Sequence, residues 1–465
     1  MSEEENSGPV LPGAEDIQAI LHKVIIAHQQ ALALLQQTET AYSRLVPHQL
    51  LSLLQARSIV DVKLGDQVER KMTIMFSDIR DFTQLSETLT PAENFEFINS
   101  YLSQMEPVIS RHHGIIDKYI GDAIMALFEK GADEALNGAI GMLERLAYYN
   151  AGRQRAGYQP VHIGIGLNSG MVMIGTVGGV NRMDSTVIGD AVNLAARLEA
   201  VTKLYNTPLL ITHNTLYDLN DPAAYRLRFL DRLRVKGKAQ PLSVYEVFDT
   251  DPPRLRQLKS ETREDFEQAV AGYHLKDIES SLPRFAHCAE ICPEDTAARI
   301  YLERCREYQA TRQHFGTGEL DAPMLWKDEF KTGIERIDDA HQALLQRIHQ
   351  HAADVLQNEP VDFDDLFAFL RRHCTELFPF EESMMREHDY PFAGSHTEEH
   401  RHFSANLGDL QSQVRAGCHD QRYLAYRIEL LLLDWFSTAT KADRHFARFM
   451  QNTPPRQTAT IPAAK

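Results

Sequence analysis

The stretch GIIDKYIGDAIMALF, residues 114–128, consists of two β-rich runs divided by Gly121-Asp122. A Gly-Asp pair between short apolar runs suits a tight two-residue turn, so the stretch predicts a β-hairpin. Upstream, MTIMFSD (72–78) reads as a buried strand. A helix over about 91–112 follows, opened by Pro91 at a position where proline is tolerated. Downstream the pattern predicts a helix (about 132–150), strands at 161–167, 171–177 and 184–188, a helix at 190–204, and strands near 208–212, 226–236 and 242–248. Strands and helices alternating with inserted hairpins argue for α/β or α+β architecture.

The chain has 465 residues, a prior of about three domains. Its net charge is −17 and it has no run of Lys or Arg, which disfavours nucleic acid or an anionic membrane as partner. No window approaches 18 consecutive apolar residues, so no membrane insertion is expected. The opening MSEEENSGPV lacks a basic, apolar leader, and the five cysteines have no CxxC spacing. Both features fit a cytoplasmic protein without a disulfide scaffold.

Residues 1–13 and 453–465 are expected to be disordered. Over 14–57, Ile17, Leu21, Val24, His28, Ala31, Leu35, Thr38, Tyr42 and Leu45 alternate at spacings of four and three. This seam predicts a helical, coiled-coil-like dimeriser, interrupted at Pro47. Residues 70–250 hold the strand-rich domain, and Asp251-Pro252-Pro253 closes it. Residues 258–312 read as a helical linker with Pro293 between two helices; the pair resembles one tetratricopeptide unit and offers a surface for a regulator. After the linker HFGTGELDAP, residues 324–452 are helical throughout, with helices near 338–357, 362–386, 393–416 and 421–448. That is a four-helix bundle pattern. The fold class expected is multidomain α+β.

Asp78 ends a predicted strand and Asp122 sits in the predicted turn. Two carboxylates at neighbouring strand ends can hold two hard cations that bridge phosphate oxygens, although acids in turns are commonly solvated caps. FSDIRDFT (76–83), DKYIGDAIMALF (117–128), TVIGDAVNLAARLE (186–199) and VKGK (235–238) occur in this order. Together they resemble the class III adenylate/guanylate cyclase catalytic domain. The resemblance implies a ferredoxin-like core, dimerised head to tail with each site shared between two protomers. It implies that Asp78 and Asp122, with the Ile79 carbonyl, hold two Mg²⁺ or Mn²⁺ ions. Lys118 and Thr186 match the base-reading positions, Asn193 and Arg197 the catalytic pair on ribose and transition state, and Lys236 a triphosphate-binding lysine. A lysine suits adenine N1, an acceptor, rather than protonated guanine N1, so ATP is the expected substrate. Thr186, where many relatives have Asp, resembles the bicarbonate-responsive subgroup. Gly164 departs from relatives with Arg at that position. Nearby, Gly164, Gly166 and Gly170 form G-x-G-x-x-x-G, which is one residue off the dinucleotide fingerprint and reads as strand–turn–strand packing.

Ten of the twenty histidines fall within 324–452. His396 and His400 lie i, i+4 on one helix face, a geometry for two ligands on one metal, but also that of an ordinary polar face. FKTGIERIDDAHQALL (330–345), FPFEESMM (378–385), HTEEH (396–400) and LLDWFSTATKADRHF (432–446) resemble a hemerythrin-type bundle. The resemblance implies iron ligands at His341, Glu381, His396, His400 and Asp443. It also marks Leu377 and Ala439 as standing where two histidines are expected, with His373 and His445 as substitutes off the family spacing. A di-iron pair, an altered or mononuclear site, and a metal-free bundle all remain open.

The combined expectation is a cytoplasmic, homodimeric adenylate cyclase converting ATP to cyclic AMP and pyrophosphate, regulated by a degenerate hemerythrin-like module. The alternatives are a guanylate cyclase and a non-catalytic metal- or gas-sensing signalling protein.

Overall fold

The computed structural model describes residues 14–43, 52–54, 59–179, 182–234, 241–311, 326, 328–357, 359, 361–417 and 420–452. Lys236, Leu45, Pro47, the HFGTGELDAP linker and both expected disordered ends lie outside the described residues. The chain divides into two compact units, residues 1–68 with 175–186 and residues 69–174 with 187–465.

In the smaller unit, α1 (Ala14–Ser43) is one continuous helix of 30 residues. Leu21, Val24 and Leu35 of the predicted seam are each more than half exposed. Thr176 ties residues 63–66 to its own segment: its N–H donates to the Asp66 carbonyl (2.9 Å) and its hydroxyl to the Lys63 carbonyl (2.6 Å).

The sheet comprises β1 (Gln67–Ile79), β2 (Ile115–Ile120), β3 (Ala123–Phe128), β4 (Ile163–Gly179), β5 (Arg182–Ile188), β6 (Leu209–Thr212), β7 (Leu227–Arg234) and β8 (Pro241–Val247). Their order is β2-β3-β1-β4-β6-β8-β7, with β5 paired to β4. Gly121 takes φ +67° in the β2–β3 turn, a conformation that glycine adopts without a Cβ penalty. β1 pairs antiparallel with β3 in the register Ser77↔Ile124, which brings the end of β1 beside that turn. Asp78 and Asp122 are neighbours for this reason.

The expected strands 161–167 and 171–177 are one strand, β4. Its glycines serve close packing instead of a turn: a Cβ on Gly166 would lie 2.4 Å from the Glu199 backbone nitrogen. The helices of this region are α2 (Phe82–Glu87), α3 (Pro91–Arg111), α4 (Ala132–Arg155), α5 (Asp190–Tyr205) and α6 (His213–Tyr217). Thr90 and Glu93 cap α3 reciprocally, the Thr90 N–H donating to the Glu93 carboxylate at 2.8 Å. Tyr101, Met105, Ile109, Leu136 and Met142 bury one face of the sheet with Ile124 and Phe128. Each such side chain contributes roughly 1.5–3 kcal/mol of burial.

Residues 253–311 form three helices where the linker reading placed two: α7 (Pro253–His274), α8 (Ile278–Ile291) and α9 (Thr296–Thr311). They are built onto the sheet. Phe266, Phe285 and Tyr301 share a core with Tyr205, Phe229 and Val244. Arg228, fully buried, donates to both Asp295 oxygens at 2.6 and 2.8 Å, and Lys259 reaches Glu246 and Asp251, each at 2.6 Å. The C-terminal region is helical: α10 (Glu335–Leu356), α11 (Phe363–Glu387), α12 (Ala393–Ala416) and α13 (Gln421–Asn452), around Leu344, Phe367, Phe403 and Phe436. Cys288, Cys292, Cys305 and Cys374 are free thiols.

Candidate active site

The strand register converges Asp78 and Asp122. Burial, then the Asp78 carboxyl group, raises the Asp122 pKa to about 6. Asp122 Oδ2 is buried without a hydrogen-bond partner among the described residues. The Ile79 N–H donates to Asp78 Oδ1 at 3.1 Å, which orients that carboxylate. Two converging carboxylates, one with an orphaned oxygen, fit hard divalent cations, which take oxygen donors and offset the mutual repulsion.

Two neighbours of this pair escaped the sequence reading. Glu199 on α5 is raised to about 7, first by burial and next by Asp78, against the pull of Arg80. Arg80 donates to the Thr202 and Thr207 carbonyls, both at 2.9 Å. Both residues lie inside the quoted motifs, but only the crossing of β1 and α5 makes them neighbours.

Lys118 sits in β2 with its ammonium 3.1 Å from Asp117 Oδ2. Thr186 lies in β5, within the smaller unit. Asn193 and Arg197 are exposed on one side of α5, while Leu194 and Leu198 are buried on the other. Gly164 packs against α5 so closely that a Cβ would lie 2.1 Å from Thr202 Oγ1 and 2.7 Å from Glu199 Oε1. Here the position belongs to a strand–helix contact with no room for an arginine.

The C-terminal helices bring together His341, Glu381, His396, His400 and Asp443, each at most 4% exposed. His341 Nε2 lies 3.0 Å and His396 Nε2 3.1 Å from Asp443, and His400 Nε2 lies 3.0 Å from Glu381. Two ligand-like triads result, Glu381–His396–His400 and His341–Glu381–Asp443, sharing Glu381. Glu381 Oε1 is buried without a partner among the described residues. His400 Nδ1 lies 3.1 Å from Glu382, an orienting partner the sequence reading missed.

Leu377 and Ala439 are buried where histidines were expected. Of the two substitutes, His373 is buried near His341 and His400, and burial lowers its pKa to about 3. His445 points elsewhere: its Nε2 lies 2.8 Å from Glu69, and its Nδ1 lies 2.6 Å from the Tyr390 hydroxyl.

The segment 65–248 matches the model of the adenylate and guanylate cyclase catalytic domain. These residues form a class III cyclase catalytic domain. The chain is 41% identical over 243 residues to an adenylate cyclase of Anabaena cylindrica, covering 50% of this chain and 48% of that one. The terminal-differentiation-specific adenylate cyclase of Dictyostelium discoideum is 35% identical over 303 residues, 64% of this chain and 14% of that one. The chain thus spans less than half the length of these two relatives. A bacterial light-regulated adenylyl cyclase structure is 29% identical with a TM-score of 0.43, covering 48% of this chain and 65% of the other. Among the described residues no helix is long and apolar enough to cross a membrane.

Proposed function

We propose that this chain is an adenylate cyclase, forming 3′,5′-cyclic AMP and pyrophosphate from ATP at sites shared between two identical protomers. The observation that carries the reading is the Asp78–Asp122 pair with its orphaned carboxylate oxygen, inside a cyclase domain whose named relatives are adenylate cyclases.

Asp78, Asp122 and the Ile79 carbonyl would hold two Mg²⁺ or Mn²⁺ ions, which supply charge neutralisation along the phosphates and acidify the ribose 3′-hydroxyl. The chain's own groups orient the rest. Lys118 donates to adenine N1, and the Thr186 hydroxyl accepts from the adenine amino group. Asn193 positions the ribose, and Arg197 offsets charge developing on the transferring phosphoryl group. Lys236 neutralises the leaving pyrophosphate. Asn193 and Arg197 are exposed on α5, a placement that suits completion of a second protomer's site. Thr186, where many relatives have Asp, supports a likeness to the bicarbonate-responsive subgroup. The test is cyclic nucleotide formation from ATP and from GTP with Mg²⁺ or Mn²⁺; product from ATP is expected, and exclusive use of GTP contradicts the reading.

The C-terminal helices form a hemerythrin-like four-helix bundle whose buried cluster is an altered metal site that regulates the cyclase. The shared Glu381 and its orphaned oxygen support a cation there, and iron suits imidazole with carboxylate. Loss of imidazoles at Leu377 and Ala439 disfavours reversible O₂ carriage. Iron and zinc content per chain, with the cyclase rate with and without residues 324–465, tests this. Two irons with a reversible O₂ spectrum, or a rate unmoved by truncation under metal-loaded and metal-free conditions, contradicts it.

A further inference from the structure

The helix α5 carries Asn193 and Arg197, and part of its inner side rests on bare glycine. A Cβ on Gly166 would lie 2.4 Å from the Glu199 backbone nitrogen, and one on Gly164 would lie 2.1 Å from Thr202 Oγ1. Helix and strand thus meet at these positions without a strand side chain between them. Glycine permits that approach but offers nothing to interlock with the facing turn. Polar ties at the two ends of α5 add to the packing of Leu194 and Leu198. At its start the fully buried Asn168 donates to the Ala191 carbonyl at 3.0 Å.

At its end the tie comes from Arg80, the first residue after β1. One guanidinium nitrogen, Nη2, donates to the carbonyls of Thr202 and Thr207, both at 2.9 Å. Thr202 lies in the last turn of α5, where carbonyls lack a helical donor and a cation is favoured. The Arg80 N–H donates to the His162 carbonyl at 2.9 Å, which fixes the base of the side chain as well. The next residue, Asp81, meets Lys203 at 2.8 Å, but both side chains are more than half exposed, and such a pair holds little. The half-buried Arg80 is therefore the main clamp on this end. From Thr202, Arg197 and Asn193 lie roughly 7.5 and 13.5 Å back along the helix axis. A tilt at the clamp displaces both, and a misplacement of about 1 Å near the reacting atoms can cost on the order of 100-fold in rate.

We propose that Arg80 is a positioning residue for the cyclase reaction: it sets where α5 presents Asn193 and Arg197 to the partner protomer's site, although it stands two residues after Asp78 of its own. The proposal rests on the shared-site reading above. Arg80 also faces Glu199, the neighbour of Asp78. A role confined to the cation pair of its own chain therefore makes the opposite prediction, because the two roles fall on different sites of the dimer.

Arg80→Met should lower kcat for cyclic AMP formation by about tenfold or more while keeping a cooperative urea transition. The site at fault is read from heterodimers of the full chain isolated through two different affinity tags. Paired with Asp78→Ala, Arg80→Met leaves one site whole, so about half of wild-type activity is expected. Paired with Asn193→Ala, it damages both sites, and activity should stay at or below about a tenth. If Arg80→Met loses its urea transition, Arg80→Gln, which keeps one amide donor, enters the same two crosses with the same expectation. Rescue by Asn193→Ala overturns the proposal, and so does rescue by neither partner or an undiminished kcat in the folded variant. The control crosses Asp78→Ala with Asn193→Ala. When it recovers about half activity, a wrong Arg80 pattern overturns the proposal alone. When it recovers none, the shared-site reading falls and the proposal with it.

Discussion

The Glu399 carboxylate lies 2.9 Å from the Lys71 ammonium, and Glu399 stands between His396 and His400 on α12. Lys71 belongs to β1, the strand that ends at Asp78. Two residues earlier on the same strand face, Glu69 meets His445, which follows Asp443 by two residues on α13. Burial disfavours the Lys71 charge, and Asp218 and Glu399 outweigh it, so its pKa is raised. The strand that ends at Asp78 is thus held by Glu399, which adjoins His400 on α12, and by His445, two residues after Asp443 on α13. Any shift of α12 or α13 therefore has a direct mechanical path to β1.

Lys71→Met should destabilise the chain by about 1–3 kcal/mol, because it leaves Asp218 and Glu399 facing each other half-buried. Adding Glu399→Gln should return part of that loss, giving about 1 kcal/mol of non-additivity in a double-mutant cycle read by urea unfolding. Strictly additive losses speak against a working link. Both variants should also reduce any dependence of the cyclase rate on metal in the C-terminal helices.

Glu429 on α13 is 4% exposed, and burial raises its pKa to about 7, with Arg232 pulling the other way. A carboxyl group with a raised folded pKa binds protons more tightly folded than unfolded. Its effect therefore destabilises the fold progressively as pH rises from about 4.3 to about 7, and levels off above. Glu429→Gln should remove this slope, improving stability at pH 8 relative to pH 5 by on the order of 2–3 kcal/mol. Equilibrium denaturation at the two pH values checks it; an unchanged difference contradicts the burial argument.

Local chemistry made much of the architecture legible. Gly121-Asp122 announced its own turn, and the apolar periodicity located α10 to α13 within a few residues. What stayed hidden depends on contacts between distant segments. Ser169-Gly170 reads as a turn, yet β4 runs through it because its glycines let α5 approach closely. Arg228, Glu246, Asp295 and Lys259 look like surface charges in sequence, and only their mutual pairing allows them to be buried. In the cyclase domain the motif residues were visible, whereas the closeness of Glu199 to Asp78 needed the fold. Of the two substitute histidines, spacing could not tell that His373 is buried near His341 and His400 while His445 turns to β1.

Base choice should follow Lys118. Lys118→Glu should lower cyclic AMP formation and raise relative use of GTP, since a carboxylate accepts from guanine N1–H and cannot donate to adenine N1. The expected change in discrimination is on the order of 1–3 kcal/mol. An unchanged ratio of kcat/KM for ATP and GTP removes Lys118 from base recognition.

The shared-site adenylate cyclase reading is tested most directly by mixing two inactive variants. Asp78→Ala deprives a protomer of its cation ligand, and Asn193→Ala deprives it of the group offered to its partner. Each alone should reduce cyclic AMP formation from ATP at least 100-fold, on the order of 2.7 kcal/mol, without unfolding the chain. In a heterodimer one site carries both lesions and the other neither, so mixing should restore roughly a quarter of wild-type activity when dimers form at random. A mixture as inactive as its parents, with heterodimers demonstrably present, contradicts the account, and so does a wild-type chain that makes no cyclic AMP with either Mg²⁺ or Mn²⁺.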